Sequence, residues 1–346
     1  MSNPFNISFG KEPARLIART SQVKKVIDTF NSEHPSTQAY MITGVRGYGK
    51  TVTMTYIEHK LAKDDTWITV PLNPNMDLLE ALAAHLCENK ILSAAFMKAD
   101  INVSAFGISA SIGSDRPTAT VEVQLIKMLK VVKKLGKKVL ITIDEVVKNY
   151  NIIAFASSFQ TFIREDYPVF LLMAGLFENI RNLQNENTLT FLYRTPRIDL
   201  KPLGIVGMAN NYKEVFDITS DEAEEMARFT KGYPYAFQTL GYLKWENNQP
   251  LESLIPEFDS MMEDFAYEKI WSELSEGDKK VIQAISKNGG VMKTKDIQAA
   301  TGNTSSSFST YRKRLKEKGL IDVSDYGQAK LTLPRFGEIV NAWGEI

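Results

Sequence analysis

The octapeptide Gly44-Val45-Arg46-Gly47-Tyr48-Gly49-Lys50-Thr51 constrains this chain more than any other stretch, because it meets the pattern G-x-x-x-x-G-K-[ST] at every fixed position. The spacing has a physical basis. Glycines let backbone N–H groups turn inward around phosphate oxygens, a lysine brings a mobile positive charge, and the adjoining hydroxyl can ligate Mg2+. The eight residues therefore read as a nucleoside triphosphate cradle of the Walker A kind, with Lys50 acting on the phosphates and Thr51 on the metal. A surface turn can match so short a pattern by chance, so the flanks matter. Upstream, Ala39-Tyr40-Met41-Ile42-Thr43 is an apolar run of buried-strand type, and downstream Met54, Ile57 and Leu61 recur at helical spacing. Strand, loop, helix is the required order, and it aims the unpaired N–H groups of a helix N-terminus at the phosphates.

A second stretch complements the first. In Lys138-Val139-Leu140-Ile141-Thr142-Ile143-Asp144-Glu145 an apolar strand ends in two carboxylates. Ligands of open α/β sheets bind outside the carboxyl ends of the strands, so Asp144 reads as the partner of Thr51 in holding Mg2+ and Glu145 as the group that orients or deprotonates an attacking water. The alternative is an acidic turn after a core strand.

Composition narrows the class without naming a partner. A chain of 346 residues calls for two or three domains, and 41 basic against 41 acidic residues leave no global field to draw in a nucleic acid or a membrane, so any such partner needs a local patch. Cys87 is the single cysteine, which excludes an intramolecular disulfide, and His34, His59 and His85 form no metal-ligand spacing. With no basic leader followed by an apolar run and no stretch of eighteen apolar residues, the expectation is a cytoplasmic protein with no membrane contact.

Between the motifs, strands and helices alternate. Residues 1–19 read as irregular, a helix follows from Ser21, and strands are expected at 67–70, 139–143, 169–175 and 197–200. Helices are expected at 77–91, 121–135 and 152–164. The small and apolar residues of 101–120 read as a β-hairpin inserted into the core. This alternation predicts an α/β fold of the P-loop NTPase kind over 1–203, a mostly parallel sheet flanked by helices.

With Walker A, a Walker B strand ending in Asp144-Glu145, and the downstream Phe191-Leu192-Tyr193-Arg194-Thr195-Pro196-Arg197-Ile198-Asp199-Leu200-Lys201-Pro202-Leu203, the chain resembles the AAA+ and STAND P-loop ATPases, in particular the archaeal-type ATPases related to origin-recognition and cell-division-control initiators. The resemblance implies ATP or ADP with Mg2+ as ligands. It also implies an arginine near the nucleotide at the end of the N-terminal loop, where Ala18-Arg19 stands in place of the usual Gly-Arg. A Gly-x-Pro sequence in the helical lid is matched by Gly232-Tyr233-Pro234, with Pro234 beside the base and ribose. A phosphate-sensing arginine would be Arg194 or Arg197, with Arg194 as the catalytic candidate. The polar sensor the family carries at the end of the fourth strand is missing, since Leu172-Met173-Ala174-Gly175 holds no Ser, Thr or Asn. Slow turnover, or a switch that holds nucleotide, follows as an expectation.

The rest of the chain divides in two. Residues 204–270 read as the α-helical lid, and 271–346 as a winged helix-turn-helix with helices at 279–286, 294–300 and 305–318, and a wing at 320–333. The third of these helices carries Arg312, Lys313, Arg314, Lys316 and Lys318 against the single acid Glu317, so Ser305, Arg312 and Arg314 are candidate contacts to double-stranded DNA. The whole module holds 12 basic and 9 acidic residues, a modest excess that equally suits a solvated face or a protein-docking surface. The leading expectation is an ATP-binding, Mg2+-dependent ATPase or molecular switch whose lid couples nucleotide state to a DNA-binding module. The alternative is a STAND-like signalling or scaffold ATPase of slow or negligible turnover whose winged helix binds protein, with nucleotide-dependent self-assembly implied by resemblance.

Overall fold

Four apolar runs and the short Arg197–Asp199 become five parallel strands, and their order fixes where the two motifs emerge. The computed structural model describes residues 2–8, 13–17, 19–101, 118–186 and 189–344. By contacts the chain forms two units: Thr20–Thr43 with Thr53–Asp199, and Met1–Arg19 with Gly44–Val52 and Leu200–Ile346.

The sheet unit contains, in chain order, α1 (Thr20–Asn31), β1 (Ala39–Thr43), most of α2 (Lys50–Leu61), β2 (Trp67–Leu72), α3 (Leu78–Glu88), α4 (Lys90–Lys98), α5 (Thr118–Lys134), β3 (Lys138–Ile143), α6 (Tyr150–Arg164), β4 (Val169–Gly175), α7 (Phe177–Gln184), α8 (Thr190–Arg194) and β5 (Arg197–Asp199). The strand order is β2-β3-β4-β1-β5, parallel throughout. β4 is buried along its whole length, as a continuous apolar run in a two-faced parallel sheet must be. One face packs Val70, Val139, Ile141, Leu171 and Met173 against α3, α5 and α6. On the other face Phe30, Tyr40, Trp67 and Phe170 form an aromatic cluster, with the Lys138 ammonium 5.2 Å from the Trp67 ring.

The strands fall where the periodicity predicts. The single helix expected over 77–91 is instead two, because the Asn89 side chain accepts from the N–H groups of Ile91 and Leu92 and so ends α3 while capping α4. The hairpin expected at 101–120 lies, from 102 to 117, outside the described residues.

The other unit is mostly helical after Leu200: α9 (Ile205–Phe216), α10 (Ser220–Phe229), α11 (Pro234–Asn247), α12 (Leu251–Met262), a π-helical turn at Glu263–Tyr267, and α13 (Glu268–Ser272). Phe5 reaches into it and packs its ring against Tyr212, Phe216 and Phe237. Then come α14 (Glu276–Lys287), β6 (Val291–Lys293), α15 (Thr294–Thr301), α16 (Ser305–Glu317), β7 (Ile321–Asp322), β8 (Gln328–Leu331) and α17 (Phe336–Trp343). The small sheet is antiparallel in the order β6-β8-β7. Helix, strand, helix, helix, strand, strand is the element order of a winged helix-turn-helix, with a fully exposed Tyr326 in the wing. α14 begins three residues earlier than periodicity implies, since Ser275 and Asp278 form a reciprocal capping box. Among the described residues no helix is long and apolar enough to cross a membrane.

Candidate functional site

β1 ends at Thr43 and α2 begins at Lys50, so the octapeptide is the turn between a buried strand and a helix N-terminus. Gly47 and Gly49 adopt φ of 79° and 77°, the left-handed conformation that alternates with ordinary residues in an anion-binding nest. The Tyr48 N–H donates to the Val45 carbonyl at 3.1 Å and closes the loop. Lys50 Nζ donates to the carbonyls of Gly44 and Val45 at 3.1 and 3.0 Å, so its charge sits over the loop. Thr51 lies in the first helical turn, where its hydroxyl is a hard oxygen donor of the kind Mg2+ takes.

The loop is held from its own unit. Arg19 donates to the carbonyls of Tyr48, at 3.1 Å, and Lys201; burial pulls its pKa down to about 10, with Tyr48 partly opposing. Its guanidinium thus braces the loop backbone, while Ala18 lies outside the described residues. Tyr48 and Tyr233 are buried with ring centroids 5.5 Å apart. The Tyr233 hydroxyl donates to the Arg46 carbonyl at 2.7 Å, and the Arg46 guanidinium pairs with Glu273 at 3.3 Å. Arg46 therefore lends the cradle its backbone, its charge being turned toward Glu273. Val45 abuts Gly319 so closely that a Cβ there would lie 2.4 Å from Val45 Cγ2. Pro234 is the half-buried first residue of α11.

In the sheet unit, β3 delivers a half-exposed Asp144 whose Oδ1 accepts the Glu145 N–H at 2.8 Å. Glu145 is exposed, at a φ of 51°. The next residue, Val146, donates its N–H to the Ala174 carbonyl at 2.9 Å, locking the acidic turn to β4. A Cβ at Gly175 would meet the Val146 carbonyl at 3.1 Å and Ile180 at 3.3 Å, so a larger residue at the end of β4 would have to press its neighbours aside by a few tenths of an ångström. Arg194 is exposed, whereas Arg197 reaches Gln184 at 3.4 Å and lies 5.3 Å from the Phe177 ring. Sequence reasoning missed Glu58 of α2, whose carboxyl is pushed up by burial and by the neighbouring Asp144 charge. It also missed Tyr233 and Glu273, whose partners lie about two hundred positions away in the chain.

In the C-terminal part of the chain, α16 turns Ser305, Ser306, Ser309, Thr310, Lys313 and Lys316 outward. Arg312 is half-buried. Arg314 does not face outward with them: it donates to Asp278 Oδ1 at 3.1 Å, pairs with Oδ2 at 2.7 Å, and reaches Ser275 Oγ at 2.6 Å. Helical spacing puts it in the basic stripe, but a buried acid on α14 claims it, and Lys313 and Lys316 are the exposed cations of the helix.

Residues 265–340 match a family model described as "Domain of unknown function (DUF8462)". No curated protein matches the sequence. Among solved structures the chain is similar to the Walker-type ATPase PABY2304 of Pyrococcus abyssi, at 12% identity over 94% of this chain and 96% of that one, with a TM-score of 0.66. It is also similar to the Aeropyrum pernix ORC2 protein, solved as ADPNP–ADP complexes, at 14% identity over 97% and 96% of the two chains, with a TM-score of 0.62. At these identities the likeness establishes the fold alone, the parallel sheet flanked by helices that these ATPase structures share.

Proposed function

We propose that this chain is an ATP-binding, Mg2+-dependent ATPase that works as a molecular switch, passing nucleotide state through its helical lid to a winged-helix module that binds double-stranded DNA. The observation that carries the reading is the octapeptide in a strand-to-helix turn, with Gly47 and Gly49 both left-handed and the Lys50 ammonium over the loop. Nucleotide bound to the similar ORC2 protein agrees with it. Thr51 and Asp144 supply hard oxygens for Mg2+, which when bound would offset phosphate charge. Glu145 orders the attacking water, and Arg194 is the exposed cation available to developing phosphoryl charge.

Slow turnover is part of the reading, because Leu172-Met173-Ala174-Gly175 at the end of β4 offers no Ser, Thr or Asn to order the reactants. DNA contact rests on the outward face of α16, where hydroxyls at the N-terminal end precede Lys313 and Lys316.

Thermal melts with Mg-ATP test the first half. At a hundred times the Kd, ATP adds about 2.7 kcal/mol of stability by mass action, and Lys50→Ala should remove that gain. Glu145→Gln should keep the gain and lose steady-state phosphate release. Duplex-DNA anisotropy with Glu145→Gln protein in Mg-ATP and in Mg-ADP, at two salt concentrations, tests the second half. Salt-dependent, nucleotide-dependent binding is the expected result, and no binding in either state turns the winged helix toward a protein partner.

A further inference from the structure

In a phosphate loop the orientation of individual peptide units decides whether an N–H faces the anion or turns away from it. A trans peptide is planar, with its C=O and the following N–H pointing in opposite directions, so whatever fixes a carbonyl also fixes the next residue's N–H. Within Gly44–Thr51 two carbonyls are held by side chains from outside the loop: that of Tyr48, which accepts from Arg19 at 3.1 Å, and that of Arg46, which accepts from the Tyr233 hydroxyl at 2.7 Å. The same hydroxyl presses on the next residue. A Cβ at Gly47 would lie 2.2 Å from it and 2.7 Å from the ring carbon that bears it, so the position admits only glycine while Tyr233 is in place. Among the described residues the Gly47 N–H donates to no protein acceptor.

Tyr233 is itself immobilised. It is 1% exposed, its ring lies 5.5 Å from Tyr48 on one side and stacks 6.5 Å from Tyr267 on the other, and its own N–H is tied to Thr230. Burial pushes its phenol far up, so the group is a permanent donor at any physiological pH. The hydroxyl is thus a fixed point from which the Arg46–Gly47 peptide hangs.

We propose that the Tyr233 hydroxyl is a positioning group for the phosphate cradle: by holding the Arg46 carbonyl it keeps the Gly47 N–H turned toward the bound phosphates. The proposal rests on the nucleotide-binding reading above and adds a residue to it, since the motif alone places Tyr233 only as the variable member of Gly232-Tyr233-Pro234. It also gives the lid a direct grip on phosphate affinity, because any movement that carries Tyr233 off Arg46 frees the peptide to turn.

The test compares Tyr233→Phe, which removes the hydroxyl and leaves the ring contacts, with Glu273→Ala, which releases the Arg46 guanidinium without touching the peptide. Dissociation constants for Mg-ADP and Mg-ATP are measured on the full chain by fluorescence of a labelled nucleotide or by calorimetry, and melting without nucleotide reads the fold of each variant. Loss of one buried hydrogen bond at a carbonyl corresponds to about tenfold in affinity. The expected result is that Tyr233→Phe weakens both nucleotides about tenfold while Glu273→Ala changes them less than about twofold, with little change in either nucleotide-free melt. Wild-type affinity in Tyr233→Phe, or equal weakening in both variants, overturns the proposal while nucleotide binding by the wild type leaves the wider reading standing. A wild type that binds neither nucleotide overturns that wider reading and this proposal with it.

Discussion

Gly232 answers two demands that no other residue meets together. Its φ of 75° is left-handed, and a Cβ there would lie 2.6 Å from the Leu203 carbonyl and 2.8 Å from Pro202 Cβ, against which the chain passes to form the Leu203 N–H bond to the Gly232 carbonyl. Gly302, which ends α15, has a comparable φ of 67° but nothing within 4 Å of its absent Cβ. The pair separates backbone strain from steric exclusion. Gly302→Ala should cost about 1 kcal/mol, the left-handed penalty alone. Gly232→Ala should cost about 2–4 kcal/mol, since backbone shifts at a filled position add to it. Denaturant unfolding of the two variants checks this, and equal losses would mean that Leu203 yields freely. The Gly-x-Pro sequence was legible as a helix stop followed by a helix start. What it could not reveal is that Gly232 is pressed by a strand exit thirty residues earlier and that Tyr233 reaches the phosphate loop, because both facts belong to tertiary packing.

At the scale of elements, α16 shows how a charge count overstates what a helix offers to a partner. Five basic residues cluster in and just after it, yet Arg314 is spent on Asp278, which is only 1% exposed, and its guanidinium lies 5.3 Å from the Tyr311 ring. Removing Arg314 strands a buried carboxylate, so Arg314→Ala should destabilise the packing of α14 and α16 by about 2–4 kcal/mol, lowered from the fully buried case because the arginine is one-third exposed. Any loss of DNA binding in that variant would follow from the fold. Lys313→Ala is the cleaner probe: it should melt like the wild type, weaken duplex binding alike on all sequences, and reduce the salt slope by about one. A Lys313→Ala protein with an unchanged slope would remove this face from the DNA reading. The large elements were legible because β1, β3 and β4 are continuous apolar runs between motif residues and the helices carry clean stripes. The small ones were not. β6 is three residues with an exposed Val291, and the break between α3 and α4 turns on one asparagine side chain that outcompetes helical periodicity.

Across the whole molecule, linear order and contact order part company. The chain passes between the two units after Arg19, Thr43, Val52 and Asp199, and the phosphate loop, with the Arg19 that braces it, belongs with Leu200–Ile346. The sheet unit keeps Asp144 and Glu145. Apart from Arg19, the braces on the loop come from beyond residue 203: Tyr233 on Arg46, Glu273 on its guanidinium and Gly319 against Val45. Cutting the chain at 203, where motif reading ends the ATPase core, would retain both Walker sequences and strip the loop of these contacts. A loop of three glycines left without them regains conformational freedom that nucleotide binding must then remove. The 1–203 fragment should therefore bind Mg-ATP at least about tenfold more weakly than the full chain, by the same hydrogen-bond reasoning that applies to Tyr233. Titration of fragment and full chain with one labelled nucleotide, alongside circular dichroism to verify that the sheet persists, measures the difference. Equal affinity in a folded fragment would mean that β1 and α2 alone preorganise the cradle, and that the C-terminal half responds to nucleotide without setting its affinity.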